Sequence, residues 1–337
     1  MEPVEIVRYY SSPLVRKEIA DYSKNRWIAI LTSSKGATYF IRYWSRSGPP
    51  LKIDKEEDIG TIISRFKALV PRTFYASVNV YSDISKRESV EDPNNIRYCT
   101  PIWDIDGSLE YWRDMIDVAR IIVDELEKHG VVESIYLKWS GRGIHIHIHE
   151  KAFSSSILEK YNPLDIAYSV VDYIIGRCKD RILDIMKSAS KGERPLRIEN
   201  EIDLKRVFTV PLSLHKHIDL CTICFKPNQL DDFTPEWAKP EIMKHNKDWR
   251  KYIEGEADDL AIKAMHEVGG YFGKVGEIRK VVQAEPITRK VRARGKKPVK
   301  IGRFQVMALL QAARYYVLTG DINKAKSFGL NRAIFYA

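Results

Sequence analysis

The sequence predicts an α+β fold, a mixed α/β sheet followed by a small helical segment. Two observations predict it: strand-like runs alternate with two long amphipathic helices over the first 240 residues, and the pattern beyond that point is helical. The chain is 44% hydrophobic and 30% charged, which is typical of a soluble globular protein. Its 337 residues are enough for two domains.

The first part of the chain is predicted to contain two helices and a series of strands. Residues 13–23 are predicted to form a short helix, and "WIAILT" and "ATYFIRYW" a hairpin around "SSKG". A helix is expected over 58–70. The alternating run "TFYASVNVYS" follows as a strand, and "RYCTPIWDID" is predicted to be one strand that ends in acidic residues.

The second half contains the clearest helix, "LEYWRDMIDVARIIVDELEKHG". Its apolar residues recur at three- and four-residue spacing, with Ser108 as a possible N-cap and Gly130 as the C-terminal stop. "VVESIYLKWS" and "GIHIHIHE" are predicted to pair as strands, and a second long helix to begin at Pro163. "RVFTVPLSLH" and "DLCTICF" complete the predicted sheet.

Composition excludes several classes of protein. No apolar run is long enough to span a membrane and the N-terminus does not resemble a signal peptide, so we expect an intracellular, cytoplasmic protein without membrane contact. Four cysteines are too few and too scattered for a disulfide framework. Cys221 and Cys224 form a lone C-x-x-C, which is interpreted as buried strand thiols or, alternatively, as half of a metal site.

A basic segment near the C-terminus carries most of the net charge of +10. Residues 279–303 contain ten Lys or Arg residues and one acid, Glu285. Such a run is either a solvated linker or a contact for nucleic acid, and we predict the second. The side chains expected to bind nucleic acid are Arg289, Lys290, Arg292, Arg294, Lys296 and Lys297.

The stretch "SGRGIHIHIHE" places His145, His147 and His149 at every second position. Strand side chains alternate between faces, so the intervening isoleucines should enter the core while the histidines point the other way, beside Arg142. That face could bind a metal, bind a phosphate or be solvated.

The stretch "WDID" places Asp104 and Asp106 on one face of a strand. Two adjacent carboxylates repel each other, and a divalent cation such as Mg²⁺ or Mn²⁺ removes that conflict. The alternative is a solvated strand end. Asp203 is a third candidate acid, because it opens an apolar strand, is followed by Arg206 and precedes "PLSLHKH".

Taken in order, these motifs resemble the archaeo-eukaryotic primase superfamily of primase small subunits and primase-polymerases. The acidic strand matches Asp104-Ile105-Asp106, and the second motif, Ser-Gly-x-x-Gly-x-His, resembles residues 140–145. The third, an acid followed by Pro-x-Ser-x-His, resembles Asp203 with residues 211–215. The resemblance covers about residues 27–240 and implies a primase-polymerase core with an RRM-like sheet, occupying 1–275. A basic linker, 276–303, and a helical segment, 304–337, would follow. That segment stops in mid-pattern, which suggests a truncated chain.

The resemblance implies template-dependent nucleotidyl transfer. Asp104, Asp106 and Asp203 would be catalytic and would hold two divalent ions, Mg²⁺ or Mn²⁺. The residues expected to bind the nucleotide are Ser140, Arg142, His145, Arg206 and His215. The implied partners are a single-stranded DNA template, a primer and NTPs or dNTPs, with a helicase or accessory primase domain as a further candidate.

The sequence departs from the family in several places. The second motif is one residue short, and Thr209 stands where relatives often carry a basic residue. The 33 residues between Asp106 and Ser140 contain no cysteine, so no structural zinc is expected. A compact primase-polymerase of archaeal plasmid or virus type is therefore predicted, with His147 and His149 as strand residues beside the site rather than ligands.

Two other functions remain open from the sequence. "HIH" also matches the histidine pair of rolling-circle replication nickases, which use a tyrosine nucleophile, and Tyr168 and Tyr173 lie on the following helix. A non-catalytic nucleic-acid-binding module would explain the basic segment and a helix-turn-helix-like C-terminus. The nickase leaves Asp203 and "PLSLH" unexplained, and the binding module does not explain the three acids.

Overall fold

The structure, a computed structural model, describes residues 1–33, 37–188 and 195–273. The predicted boundary at 275, the basic linker and the helical C-terminal segment lie outside the described residues. Within them the predicted α+β class is confirmed, because two five-stranded sheets combine with helices. Every strand pairing in this part of the chain is antiparallel.

The helices follow the chain in order. They are α1 Pro3–Tyr9, α2 Pro13–Ser23, α3 Glu56–Arg65, α4 Trp112–Lys128, α5 Ser155–Lys160, α6 Pro163–Ser188 and α7 Asp258–Val268. The strands are β1 Arg26–Thr32, β2 Phe40–Ile41, β3 Pro71–Tyr81, β4 Ile96–Cys99, β5 Ile102–Asp106, β6 Ile135–Trp139, β7 Gly143–Ile148, β8 Arg197–Glu199, β9 Val207–Thr209 and β10 Ile223–Phe225.

The first sheet is built around β3, in the order β2-β1-β3-β4. Strand β9 also pairs with β3, through Tyr75 opposite Thr209 and Ser77 opposite Val207. The second sheet has the order β10-β6-β7-β5-β8. The strand of histidines, β7, therefore lies between β6 and the acidic strand β5.

The predicted strand "RYCTPIWDID" is two strands, β4 and β5, in two different sheets. The prediction of one strand is wrong because Pro101 lies between them, has no N–H and cannot continue a ladder. The Thr100 N–H donates to the Val78 carbonyl in the first sheet, and the Pro101 carbonyl accepts from Ile148 in the second. The chain crosses between the sheets here and carries the acids of β5 into the second sheet.

Most other predicted elements are present with shifted ends. The helix expected over 58–70 ends at Arg65 and is followed by a short 3-10 turn, Lys67–Leu69. The second strand of the N-terminal hairpin is only Phe40–Ile41. Helix α4 starts at Trp112 after a 3-10 turn rather than directly after Ser108. Helix α1 was not predicted, because it is only seven residues long.

Helices α4 and α6 cover the isoleucine face of the second sheet. Ile144, Ile146 and Ile148 of β7 are fully buried there, as the alternating pattern predicts. Burial of each such side chain contributes about 1.5–3 kcal/mol to folding. Gly130 ends the α4 region with a φ of 81°, a conformation that glycine adopts without steric cost.

Cys221 and Cys224 are buried thiols, as the first interpretation predicts. Burial raises the pKa of Cys221 to about 12, with smaller opposing effects from hydrogen bonds to Tyr9 and the backbone. Burial also raises the pKa of Cys224. Both side chains are therefore protonated at neutral pH and act as apolar core groups.

No helix in the described part of the chain is both long enough and apolar enough to cross a membrane.

Candidate active site

His145 and His147 of β7, and His149 directly after it, lie on the face of the second sheet that is turned towards the first sheet. On the opposite face, the Trp103 indole N–H donates to the Val171 carbonyl of α6 at 3.1 Å. On the histidine face, the His145 ring meets the Phe208 ring of β9 edge-on, with centroids 5.0 Å apart. All three histidines are buried, so this face is not simply solvated.

A cavity of about 150 Å³ lies where the loop between β6 and β7 meets the first sheet. Five of the predicted site residues line it: Asp106, Ser140, Arg142, His145 and His215. The remaining lining residues are Tyr75, Val207, Phe208, Thr209 and Lys216. The structure thus brings the acidic strand, the histidine strand and the "PLSLH" segment to one place.

Two glycines allow the loop between β6 and β7 to lie close to His215 and Asp106. A Cβ on Gly141 would lie 3.2 Å from the ring of His215, and the φ of Gly141 is +108°. A Cβ on Gly143 would lie 2.6 Å from Oδ1 of Asp106. The Ser140 hydroxyl donates to the Gly143 carbonyl at 3.2 Å, so it closes the loop itself.

Asp104 is a nearly buried carboxylate next to His145. Its side chain is 14% exposed, and its Oδ1 lies 3.1 Å from Nε2 of His145. Among the described residues this oxygen has no well-aligned hydrogen-bond partner. Burial opposes ionisation, but the charges of His145, Arg206 and Arg197 outweigh it and hold the pKa of Asp104 below its usual value. The Asp104 carboxylate is therefore charged, and its Oδ1 is available as a ligand.

Glu199, which the sequence analysis did not select, is the acid nearest to Asp104 in strand register. It stands directly opposite Asp104 in the β5–β8 ladder, so both side chains leave the same face. Burial lowers the pKa of the Arg206 guanidinium, while the charges of Asp104, Glu199 and Asp106 act against that shift. Nη2 of Arg197 lies 3.4 Å from Oδ2 of Asp106. Arg206 itself pairs with Glu201, so these two arginines lie among several acids.

Asp203 is not brought into this arrangement. Its Oδ1 accepts the backbone N–H of Lys205 at 2.6 Å, which makes it the turn residue that precedes β9. Its charge acts on Arg42 and Tyr81, both on the side of the first sheet. Since no three such side chains among the described residues form a metal-binding group, the set of Asp104, Asp106 and Asp203 stays a prediction.

His215 is held as a neutral hydrogen-bond donor. Its Nδ1 accepts the backbone N–H groups of His217 and Ile218 at 3.1 and 3.2 Å. Burial, followed by the charges of Arg142 and Lys216, lowers the pKa of His215 to about 3. The neutral ring must then carry its proton on Nε2, which can donate to a phosphate or sugar oxygen.

His147 is buried as a neutral ring in the middle of the row. It stacks on Tyr136 with ring centroids 4.5 Å apart and an interplanar angle of 15°. Neither ring nitrogen has a hydrogen-bond partner among the described residues. Burial, followed by the charges of Lys138, His145 and Arg26, lowers the pKa of His147 far below its usual value. Its position is that of a packing residue.

The geometry does not favour the nickase alternative. A nickase needs two histidines on one metal and a tyrosine within reach. Tyr168 and Tyr173 belong to α6, which packs on the isoleucine face of the sheet, opposite to the histidines. Tyr173 is itself buried and meets His129 edge-on.

The donor set fits a divalent cation. Carboxylates are the ligands that Mg²⁺ and Mn²⁺ prefer, and Asp104 offers a buried oxygen without a partner. As they stand, no three His, Cys, Asp or Glu side chains in the described ranges form a group that could hold a metal. A cation held by Asp104, Asp106 and Glu199 would therefore have to displace the contact between Arg197 and Asp106.

Comparisons with known proteins give a structural likeness but no sequence relative. A scan against protein-family models gives no match, and no curated protein matches the chain. Among solved structures, the chain is similar to the polymerase domain of Mycobacterium tuberculosis ligase D in complex with DNA. The TM-score is 0.47 at 14% sequence identity, covering 82% of this chain and 92% of that one.

Proposed function

We propose that this chain is a nucleotidyltransferase of the primase-polymerase type, which adds nucleotides to a primer strand on a DNA template. The observation that carries the proposal is the cavity where Asp106, Arg142, His145 and His215 meet, with Asp104 directly beside His145. Acids for a cation and donors for phosphates at one cavity are the two requirements of nucleotidyl transfer.

The acids would hold the metal ions of the reaction. Asp104, Asp106 and Glu199 are proposed as ligands, with Glu199 in the place that the sequence assigned to Asp203. Two divalent ions bound there would supply Lewis-acid stabilisation to the attacking and leaving oxygens. In the structure, Arg197 pairs with Asp106, and Arg206 pairs with Glu201 while it also interacts with the charges of Asp104, Glu199 and Asp106.

The other side of the cavity would bind the triphosphate. Arg142 and Lys216 offer cationic donors, and the Nε2–H of His215 offers a neutral one. The Phe208 ring and the Tyr75 ring line the cavity as apolar surfaces for sugar or base. The Ser140 hydroxyl is hydrogen-bonded to the Gly143 carbonyl of its own loop. Ser140 would therefore position Arg142 rather than contact the phosphate itself.

The basic segment beyond the described residues is proposed to bind the template backbone. The affinity that such phosphate contacts provide does not depend on the DNA sequence, and it falls as the salt concentration rises. The proposed contacts are Arg289, Lys290, Arg292, Arg294, Lys296 and Lys297.

Primer extension tests the proposed function. The protein, incubated with a labelled primer on a longer DNA template and either dNTPs or NTPs, should lengthen the primer in Mg²⁺ or Mn²⁺. The added sequence should follow the template. If the folded protein extends no primer in any combination of metal and nucleotide, the proposal is refuted. A covalent tyrosyl-DNA adduct would support a nickase instead.

A further inference from the structure

A second and larger cavity lies at the other end of the histidine row. Its volume is about 480 Å³, within the range of small-molecule sites. His149 lines it, whereas His145 lines the candidate active site. Four residues of extended strand separate these histidines by roughly 13 Å. His147 lies between them and is fully buried, so the two cavities are separate.

The second cavity has an excess of positive charge. Five cations line it against two acids, Asp21 and Glu150. Arg26 lies 3.0 Å from Glu150, and Arg250 lies 2.8 Å from Asp21, so both acids are already neutralised. The three remaining cations are exposed at the rim: Lys24, Arg97 and Lys151. Of these, Lys24 also lies 3.7 Å from Asp21.

Aromatic rings form much of the remaining wall. Tyr252 is 41% exposed and stacks on His149, with centroids 4.6 Å apart and an interplanar angle of 24°. Nζ of Lys151 lies 5.6 Å from the centre of the Tyr252 ring. The guanidinium of Arg97 lies 5.4 Å from the centre of the Tyr98 ring. The exposed ring of Tyr252 and the half-buried ring of Tyr98 are thus each paired with one of the rim cations.

The ligand that matches this wall carries an aromatic ring and negative charge. Planar bases stack on tyrosine and histidine rings, and phosphate oxygens take charge-assisted hydrogen bonds from Lys and Arg. A simple anion would leave the rings unused, and a neutral aromatic compound would leave the rim cations unused.

We propose that this cavity is a second nucleotide-binding site, in which the base stacks beside Tyr252 and the phosphate contacts Lys151 and Arg97. The occupant is either a free mononucleotide or one nucleotide of a bound strand. Binding there needs no catalytic metal, because the phosphate partners are side chains. The proposal therefore stands independently of nucleotidyl transfer at Asp104.

Photo-crosslinking with 8-azido-dATP tests the second site in the full-length protein. Mapping of the labelled peptides should give two groups, one from the cavity at His145 and one containing Tyr252 or Tyr98. EDTA should reduce the first group and leave the second. The double variant Arg97→Glu/Lys151→Glu should reduce labelling of the second group about tenfold or more, since charge-assisted phosphate contacts are worth at least that much.

A control carries one such charge reversal elsewhere. Lys160 also lies over a tyrosine ring, Tyr161, but lines neither cavity, so Lys160→Glu should leave both peptide groups labelled. If the charge-reversed protein fails to fold, Arg97→Ala/Lys151→Ala gives the same comparison. The proposal is overturned if only peptides from the cavity at His145 are labelled, or if labelling near Tyr252 survives loss of both cations.

Competition with a 12-nucleotide single strand separates the two sources of the ligand. Loss of labelling at Tyr252 in the presence of the strand would identify the occupant as a nucleotide of a bound strand. Labelling that persists would identify it as a free mononucleotide. Both outcomes require the site itself.

Discussion

Replacing Asp104 by asparagine will reduce template-dependent nucleotide incorporation by about 1000-fold, which corresponds to about 4 kcal/mol of transition-state stabilisation. The amide keeps the shape of the side chain but loses the negative charge that would attract a cation. Asp104 is the strongest candidate ligand because it is buried, ionised and has an oxygen without a well-aligned partner. Single-turnover primer extension measures the effect.

The control for this variant is Asp184→Asn, the same change on the surface of α6. Asp184 is 75% exposed and pairs with Lys187 at 3.0 Å on the surface, so activity should be unchanged. Thermal unfolding of both variants should match the parent protein within a few degrees, because the Asp104 amide retains its volume. An Asp104→Asn protein with more than a tenth of normal activity would remove Asp104 from the catalytic role.

Replacing Glu18 by alanine should lower the free energy of unfolding by about 3–5 kcal/mol. Glu18 is fully buried, and its Oε2 accepts from Trp249 Nε1 at 2.9 Å and Arg250 Nη1 at 3.0 Å. His245 lies 3.0 Å away, and its Nδ1 already accepts the Cys224 N–H, so its Nε2 donates to Glu18. Alanine would leave the buried donors of Trp249 and His245 without their acceptor and would remove the partner of the half-buried Arg250. Urea unfolding at pH 7 measures the loss.

The same residue makes a prediction about pH. Although burial opposes ionisation, hydrogen bonds from His245, Arg250 and Trp249 lower the pKa of Glu18 from 4.5 to about 2. A carboxyl with a depressed pKa stabilises the fold above its unfolded pKa and loses that contribution as the pH falls. The difference between wild type and Glu18→Ala should therefore shrink between pH 5 and pH 2. Glu159→Ala, at an exposed position, should cost less than about 0.5 kcal/mol at any pH.

The parts of the fold that the sequence predicts best are those with a regular apolar period. Strand β7 and helices α2, α4 and α6 were identifiable because their apolar residues repeat at the period of a strand or a helix. The break at Pro101 was misread because alternation continues on both sides of it, although the proline itself was a signal. Helix α1 gives too short a pattern to recognise.

The candidate site was predictable where glycines and polar residues form a motif. Asp106, Arg142, His145 and His215 were each selected from the sequence and line one cavity. Glu199 was missed because its strand is only Arg197–Glu199, too short to show alternation. The signal that could have found it is the polar-apolar-acidic alternation of Arg197, Ile198 and Glu199, four residues before Asp203.

The second cavity could not be predicted at all. Its walls come from segments that are far apart in the sequence, such as Lys24, Arg97, Lys151 and Tyr252. Only the third histidine of the row, His149, pointed to that end of the strand. A site of this kind is defined by how the two sheets face each other, which no local pattern encodes.

The most direct test of a metal site formed by Asp104, Asp106 and Glu199 is Mn²⁺ binding measured by electron paramagnetic resonance. The wild-type protein should bind Mn²⁺, Glu199→Gln should weaken that binding by at least about tenfold, and Asp203→Asn should leave it unchanged. The account would be contradicted if Asp203→Asn weakened Mn²⁺ binding while Glu199→Gln did not, or if the folded wild-type protein bound no Mn²⁺.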